Sequence, residues 1–219
     1  MTSPIDRIRR LTERAQLERR ELDSVLDAGE HVASLSTVVD GLPWVVPMLY
    51  ARVGDRILLH GSTGAGALRH VAAGSHAALC VTHLDGWVYA HTLFDSSANY
   101  RSAVVRGVLT RLSGDEAAQA LTRLSDRVFP GRSGEVPPHS PKQLAATQTL
   151  ALDIIEGQWT VKVHNEQPRE PDEGDDVATD LWTGVVPIRT VYGTPQTADR
   201  VAANVPVSDS VRSYVEAKQ

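Results

Sequence analysis

The sequence predicts a mainly β fold with helical decorations, closed as an antiparallel barrel. Three observations point to it. Seven or eight short apolar segments succeed one another between about residues 31 and 188, separated by glycine-, aspartate- and proline-containing turns. Only two or three stretches carry helical spacing. No internal repeat is visible, and strands in this number close most readily into a barrel. The 219 residues fit one domain, with 1–29 as an N-terminal helical segment, 30–190 as the barrel and 190–219 as an irregular tail.

In chain order, Arg7 to Ala28 places Ile8, Leu11, Ala15, Leu22, Val25 and Leu26 at helical spacing, with a break near Gln16 and an end at Gly29. Glu13, Glu18, Glu21, Asp23 and Asp27 interleave with the arginines, so this face reads as solvated and salt-bridged. From His31 the period shortens to two. HVASLSTVV is a strand, Asp40-Gly41 a turn, and WVVPMLYARV a second strand that Gly54-Asp55 turns into ILLHG. The second strand is apolar on both faces, which expects cover on both sides. Pro47 within it marks an edge or a bulge beside a ligand.

HAALCVTHL and WVYAHTLF read as two strands paired around an Asp85-Gly86 hairpin turn. YRSAVVRGVLTRL follows as a longer strand with a bend at Gly107. Ser113 and Glu116 form the sequence pattern of a capping box for a helix through Val128, stopped by Phe129-Pro130-Gly131. Residues 132–141 are a Pro/Gly loop. TLALDIIE and WTVKVHN suggest a last hairpin around Gly157, with Thr160, Lys162 and His164 on a wet face. Gln167 to Thr179 is acidic, Leu181 to Ile188 is a final apolar strand, and prolines break the tail beyond Thr190.

Composition excludes several classes. The net charge of −5, without a basic block, argues against nucleic acid. No apolar run approaches the roughly 20 residues of a membrane span, and the N-terminus lacks a signal-peptide core, so a cytoplasmic, soluble protein is expected. One cysteine, Cys80, precludes an internal disulfide and reads as a buried thiol.

One stretch carries chemistry. ILLHGSTGAGALRH, Ile57 to His70, is a strand running into a glycine-rich turn and a short helix that Gly74 stops. Such a junction gathers free amide groups and the positive end of a helix dipole, which suits a phosphate. Ser62 or Thr63 can cap the helix, and Arg69 adds a permanent cation. There is no Walker Gly-Lys-Ser/Thr, and the glycines at 61, 64 and 66 miss the dinucleotide G-x-G-x-x-G spacing. The phosphorylated ligand therefore belongs to a different kind of fold.

VVPMLY (Val45 to Tyr50), HGSTGAGALR (His60 to Arg69), SSANYRSAVVRG (Ser96 to Gly107) and LWTGVVPI (Leu181 to Ile188) together resemble the FMN-binding split-barrel proteins of the pyridoxamine 5′-phosphate oxidase-like group. The branch they resemble is the flavin-nucleotide-binding, nitroimidazole-resistance-like one. The resemblance implies a six-stranded antiparallel split β-barrel, a homodimer, and two flavins in clefts between subunits. It puts Val46, Pro47 and Tyr50 against the isoalloxazine and His60, Gly61, Ser62 and Thr63 beside the ribityl phosphate. Arg69 would pair with the phosphate, Tyr100, Arg101 and Ser102 would face the flavin tail, and Trp182 would approach from the closing strand. The implied cofactor is FMN. The basic C-terminal substrate motif of the pyridoxamine phosphate oxidases is not reproduced by Arg189 and Arg200, so vitamin B6 chemistry is not expected.

The histidines show no metal-binding spacing, and no metal is expected. No catalytic triad, paired-carboxylate motif or activated lysine can be placed, so the flavin would carry any chemistry. The implied activity is transfer of reducing equivalents from NAD(P)H to a small-molecule acceptor. The alternatives are a flavin-binding protein without turnover, and a haem-binding or haem-degrading one with His91 or His164 as ligand.

Overall fold

The computed structural model describes residues 8, 12–64, 68, 74–172, 178, 180–202 and 204–219. The segment 69–73, which holds most of the short helix expected after the glycine-rich turn, lies outside these residues, and so does Arg69. The described elements in order are β1 (Ala15–Gln16), α1 (Arg19–Asp27), β2 (Val32–Val39), β3 (Leu42–Val53), β4 (Arg56–Ser62), β5 (His76–Tyr89) and β6 (Ser97–Arg111). There follow α2 (Gly114–Val128), α3 (Pro141–Ala146), β7 (Thr147–Asp153), β8 (Trp159–His164), β9 (Gly184–Pro187) and α4 (Asp209–Glu216).

Six strands close into a ring, β2-β3-β4-β7-β6-β5 and back to β2, with every pairing antiparallel. The barrel is split because β6 serves two partners on one edge. Its Tyr100–Val105 segment pairs with β8, and its Leu109–Arg111 segment pairs with β7. Gly107 lies at the changeover. β9 extends the sheet on the far end of β5, and β1 adds to β8.

Apolar alternation fills the ring. Leu35, Tyr50, Ile57, Leu59, Leu79, Leu109, Leu150 and Leu152 point inward and are fully buried, with Leu22, Val25 and Leu26 of α1 packed into the same core. Each such side chain contributes about 1.5–3 kcal/mol through burial. A second, smaller core lies outside the ring, where α2 lays Ala120, Leu124 and Val128 over Ala51, Leu58 and Ala151. These two cores account for the double apolar face of β3, but only over its second half.

Several local expectations are corrected. Asp85-Gly86 is not a hairpin turn: β5 runs unbroken from His76 to Tyr89, with a β-bulge between Leu84 and Gly86. The extra residue shifts the alternation, so Leu84 and Trp87 share one face of the sheet while Asp85 turns to the other. β7 and β8 do not form a hairpin around Gly157 either, because each pairs with its own stretch of β6. Ser113 makes no side-chain cap at α2. The capping box that forms is Ser140 with Gln143, at the start of α3. Cys80 is half-exposed on the outer sheet face, its Sγ 3.8 Å from Thr82 Oγ1. The tail is not wholly irregular. It ends in α4, whose first turn is held from outside by Glu135, which accepts from the Ser210 amide (2.8 Å) and hydroxyl (2.6 Å). These bonds hold the Glu135 carboxyl down at about 2.

Candidate functional site

The first half of β3 is an open edge. The Tyr50 amide donates to His31 O at 2.9 Å, so by antiparallel alternation the even-numbered residues of β3 direct their backbone groups toward β2. The odd-numbered ones face the other way. Pairing with β4 runs only from Tyr50↔Leu59 to Val53↔Arg56. Beyond Tyr50 no strand among the described residues covers Leu42–Leu49 on that side. Pro43 and Pro47 fall on the uncovered side, where their missing N–H groups cost no ladder bond. Val45 and Leu49 aim their amides into the same opening.

A cavity of about 340 Å³ fills this split, lined by Trp44, Val46, Pro47, Met48, His60 and Leu68 among others. Its walls are apolar, and Gly61 makes the floor possible: a Cβ there would lie 2.1 Å from Leu68 Cδ1. Among the described lining residues His60 is the one with a titratable side chain. Its Nδ1 is buried without a hydrogen-bond partner among the described residues. Burial, with a smaller contribution from His139, pushes its pKa down and favours the neutral ring. An apolar slot with two directed amides and one unsatisfied imidazole suits a flat heteroaromatic ring.

The other residues singled out in the sequence divide. Ser62 and Thr63 stand at the rim of this split and hold the turn itself: Ser62 Oγ accepts from the Gly64 amide (3.2 Å), and the Thr63 amide donates to Ala146 O (3.1 Å). Tyr50 does not line the slot. It is fully buried inside the ring, its hydroxyl donates to Leu26 O at 2.7 Å, and burial drives its pKa upward. It ties α1 to the barrel.

The Tyr-Arg-Ser string is split by strand alternation. Arg101 faces the inner side and forms a two-bond pair with the Asp85 carboxylate, 2.9 and 2.8 Å, so its charge already has a partner. Tyr100 and Ser102 face the outer side. There the register aligns Thr82 of β5, Ser102 of β6 and Lys162 of β8 in one row. Lys162 meets no carboxylate among the described residues, and its Nζ lies 6.0 Å from the Tyr100 ring centroid. An ammonium without a carboxylate beside it, in line with two hydroxyls, suits an anion. Sequence reading passed over Lys162 as one residue of a wet face. The signal that finds it is the register with Ser102, which no single segment contains.

At the far end of the same face, Trp182 folds back over Gly184, where a Cβ would come within 2.7 Å of its ring. Its ring centroid is 6.0 Å from that of Tyr89. Trp182 is 64% exposed, so this apolar surface is open.

The sequence model for pyridoxamine 5′-phosphate oxidase matches residues 18–159. Among solved structures, the chain is similar to the FAD and heme binding protein from Mycobacterium smegmatis. The two share 42% identity over 91% of this chain and 96% of that one, with a TM-score of 0.87. It is also similar to the flavocytochrome Anf3 from Azotobacter vinelandii, at 27% identity over 97% of each chain and a TM-score of 0.87. A candidate 5-nitroimidazole antibiotic resistance protein from Bacteroides thetaiotaomicron shares the fold, at 18% identity over 68% of this chain and 86% of that one, with a TM-score of 0.58. A search of curated protein sequences finds no match.

Proposed function

The chain belongs to the pyridoxamine 5′-phosphate oxidase family, and from that premise we propose that it is a redox protein binding a flavin and a haem. The observation that carries the flavin half is the uncovered edge of β3 above an apolar slot, with the unsatisfied His60 Nδ1 beside it. The haem half is supported by the relative at 42% identity, which binds both groups. That relative also favours FAD over FMN as the flavin. When bound, the flavin supplies hydride and single-electron exchange and the haem single-electron exchange. The chain supplies binding, orientation and exclusion of water.

Val46, Pro47, Met48 and Leu68 wall the isoalloxazine, the Val45 and Leu49 amides and His60 hydrogen-bond its polar edge, and Gly61 to Thr63 border the ribityl chain. Ser102, Thr82 and Lys162 hold the phosphates. Thr82 on β5 lies two strands from β3 and Lys162 on β8 four, about 19 Å along the sheet at the usual strand spacing. In the homodimer we propose, one copy gives the ring slot and its partner the anion row, and the outer face of β2, β5 and β6, with no helix over it among the described residues, is the surface for that contact. Reducing equivalents come from NAD(P)H and pass to a small acceptor.

Purified protein should be yellow, carry a Soret band, and release FAD on denaturation when resolved by chromatography against FMN and riboflavin standards. NADH or NADPH added without oxygen should bleach the flavin band. Protein that retains no flavin after incubation with excess FAD and gel filtration would overturn the reading. Light scattering should give twice the chain mass.

A further inference from the structure

Helix α2 carries a second stripe beside the one it buries. Ala118, Thr122 and Ser125 recur at helical spacing, and their small side chains leave a trough that Phe129 closes at the C-terminal end. The chain between α2 and α3 arches over this trough and is pinned at both feet. At one foot the Arg132 amide donates to Phe129 O (3.1 Å) and the Glu135 amide to Arg132 O (3.0 Å), while the Glu135 carboxylate is clamped to Ser210 of α4. At the other, Ser140 and Gln143 form the capping box of α3. Between the feet Pro137 and Pro138 each fix φ at about −65°, so the span is stiff.

Two cavities lie beneath the arch, of about 480 and 350 Å³, and they share Thr122, Pro138 and His139. Together they form one groove of the size of a small-molecule site, roughly 300–1,000 Å³. Its larger part is walled by Phe129, Val136 and the two prolines, flat apolar faces against which an aromatic ring packs. Because the arch is held before anything binds, little ordering is left for a ligand to offset.

The ionisable groups of the groove are all basic. Arg132 belongs to the larger part, Arg123 to the smaller and His139 to both, and no carboxylate lines either part among the described residues. Arg132 shares its charge with the clamp, giving Nη1 to Glu135 (2.9 Å) and to Ser208 (3.1 Å). Arg123 makes no hydrogen bond or ion pair among the described residues. Glu116, which shares a neighbouring cavity wall with it, is taken by Arg56 (2.8 Å). A guanidinium left open beside an apolar trough, in a chain of net charge −5, suits an anion with a flat apolar body, and its planar fork matches a carboxylate in two bonds.

The groove is separate from the ring slot, since no described residue lines both. It lies on the slot's side of the barrel. Alternation along β4 turns His60 to the same outer face as Leu58, which α2 covers, and protonated His139 opposes protonation of His60.

We propose that the groove between α2 and the 132–141 arch binds an aromatic carboxylate of one or two rings, the rings lying on Phe129 and the prolines and the carboxylate on Arg123 and His139. This site goes beyond the flavin-and-haem reading and does not rest on it.

The experiment is calorimetric titration of the full-length protein, as purified, with 2-naphthoate and with its uncharged counterpart 2-naphthamide. The naphthoate should bind one to one and about tenfold tighter than the amide, as a charge-assisted pair predicts. Arg123→Gln should bring the two affinities together, and His139→Gln should weaken naphthoate several-fold, both at the wild-type melting temperature. Ser125→Trp, which fills the trough, should abolish binding of both. Arg123 is exposed, so its variant decides the matter if the filled one does not fold. Excess FAD should leave naphthoate binding unchanged. A wild type that binds naphthoate no better than the amide, or not at all, overturns the proposal. Binding that survives both Arg123→Gln and Ser125→Trp, or that FAD displaces, puts naphthoate on another surface or in the ring slot and overturns it equally. Flavin retention, read separately by absorbance, tests the flavin reading and leaves this one standing or falling by itself.

Discussion

The two ends of the barrel are built from the same strands and to opposite rules. At the closed end, β3 and β4 pair from Tyr50 to Val53, α2 covers them outside, and the ring interior is fully buried. Charges there are neutralised: Arg52 pairs with Asp27, Arg19 with Asp23 (2.7 Å), and Arg56 with both Glu116 (2.8 Å) and Asp153 (3.1 Å). At the open end the same β3 loses its partner strand. Leu42 is 70% and Val45 62% exposed, and among the described residues the buried His60 Nδ1 has no partner and Lys162 meets no carboxylate. The difference teaches that strand cover and paired charge are concentrated at the closed end, although His31 Nδ1 and Asp126 Oδ1 are buried there without a partner among the described residues. Stability is concentrated at that end, and recognition at the open one.

The largest effect that can test this division is a cavity at the closed end. Leu59→Ala should cost about 2–5 kcal/mol. Urea denaturation should show it, while the folded fraction keeps its flavin stoichiometry. If FAD affinity falls in step with stability, the two ends are not separable. Tyr50→Phe comes next. It strands the buried Leu26 carbonyl and should cost about 1–3 kcal/mol. FAD affinity should be unchanged, whereas a ring-lining tyrosine would lower it.

At the open end the effect should move from stability to binding. Lys162→Met should weaken FAD and FMN about tenfold, as loss of a charge-assisted bond does, and leave riboflavin unaffected. Arg101→Met, which breaks only a half-exposed pair with Asp85, should change none of the three affinities by more than about twofold. Fluorescence titrations with all three ligands decide it. The reverse result would return the phosphate to Arg101 and leave Lys162 as a surface charge.

The smallest effect concerns pH. Burial lowers the pKa of His31 and of His60 in the folded chain. Below about pH 6.5 the unfolded state therefore takes up protons that the folded state does not. Stability from these neutral rings is present above that pH and lost as pH falls toward the folded values. The melting temperature should drop between pH 7.5 and 5.5. The drop should be shallower in His31→Asn, which tolerates the positive φ of 56° at that position, and in His60→Gln. An unchanged slope in both variants would place the acid sensitivity in other groups.

Much of the closed end was legible in the sequence, because alternation in HVASLSTVV and the continuous apolar run of ILLHG mark buried strands directly. The slot was half legible: Pro47 announced an edge, and the strand-to-glycine junction put His60 and Gly61 together. Tyr50 was misassigned because both faces of its strand are apolar, so alternation alone could not say which was inside the ring. Asp85-Gly86 has the composition of a hairpin turn, and only pairing with β6 makes it a bulge. Arg101 suffered from the same bulge, which swings Asp85 onto its face. The row of Thr82, Ser102 and Lys162 depends on register among three strands far apart in the chain. Such a row exists only once the sheet is assembled.

The two prolines of the open edge have a consequence for the life of the protein before any ligand arrives. A bare strand edge is a template on which another chain can add, and growth of that kind ends in aggregates. Pro43 and Pro47 interrupt the row of donors at two of its four positions from 43 to 49, so an incoming strand finds no continuous ladder to join. The freshly made chain can hold its slot open in a crowded solution without recruiting its neighbours. Replacing both prolines by valine should leave the barrel folded and shorten the time the ligand-free protein stays dispersed.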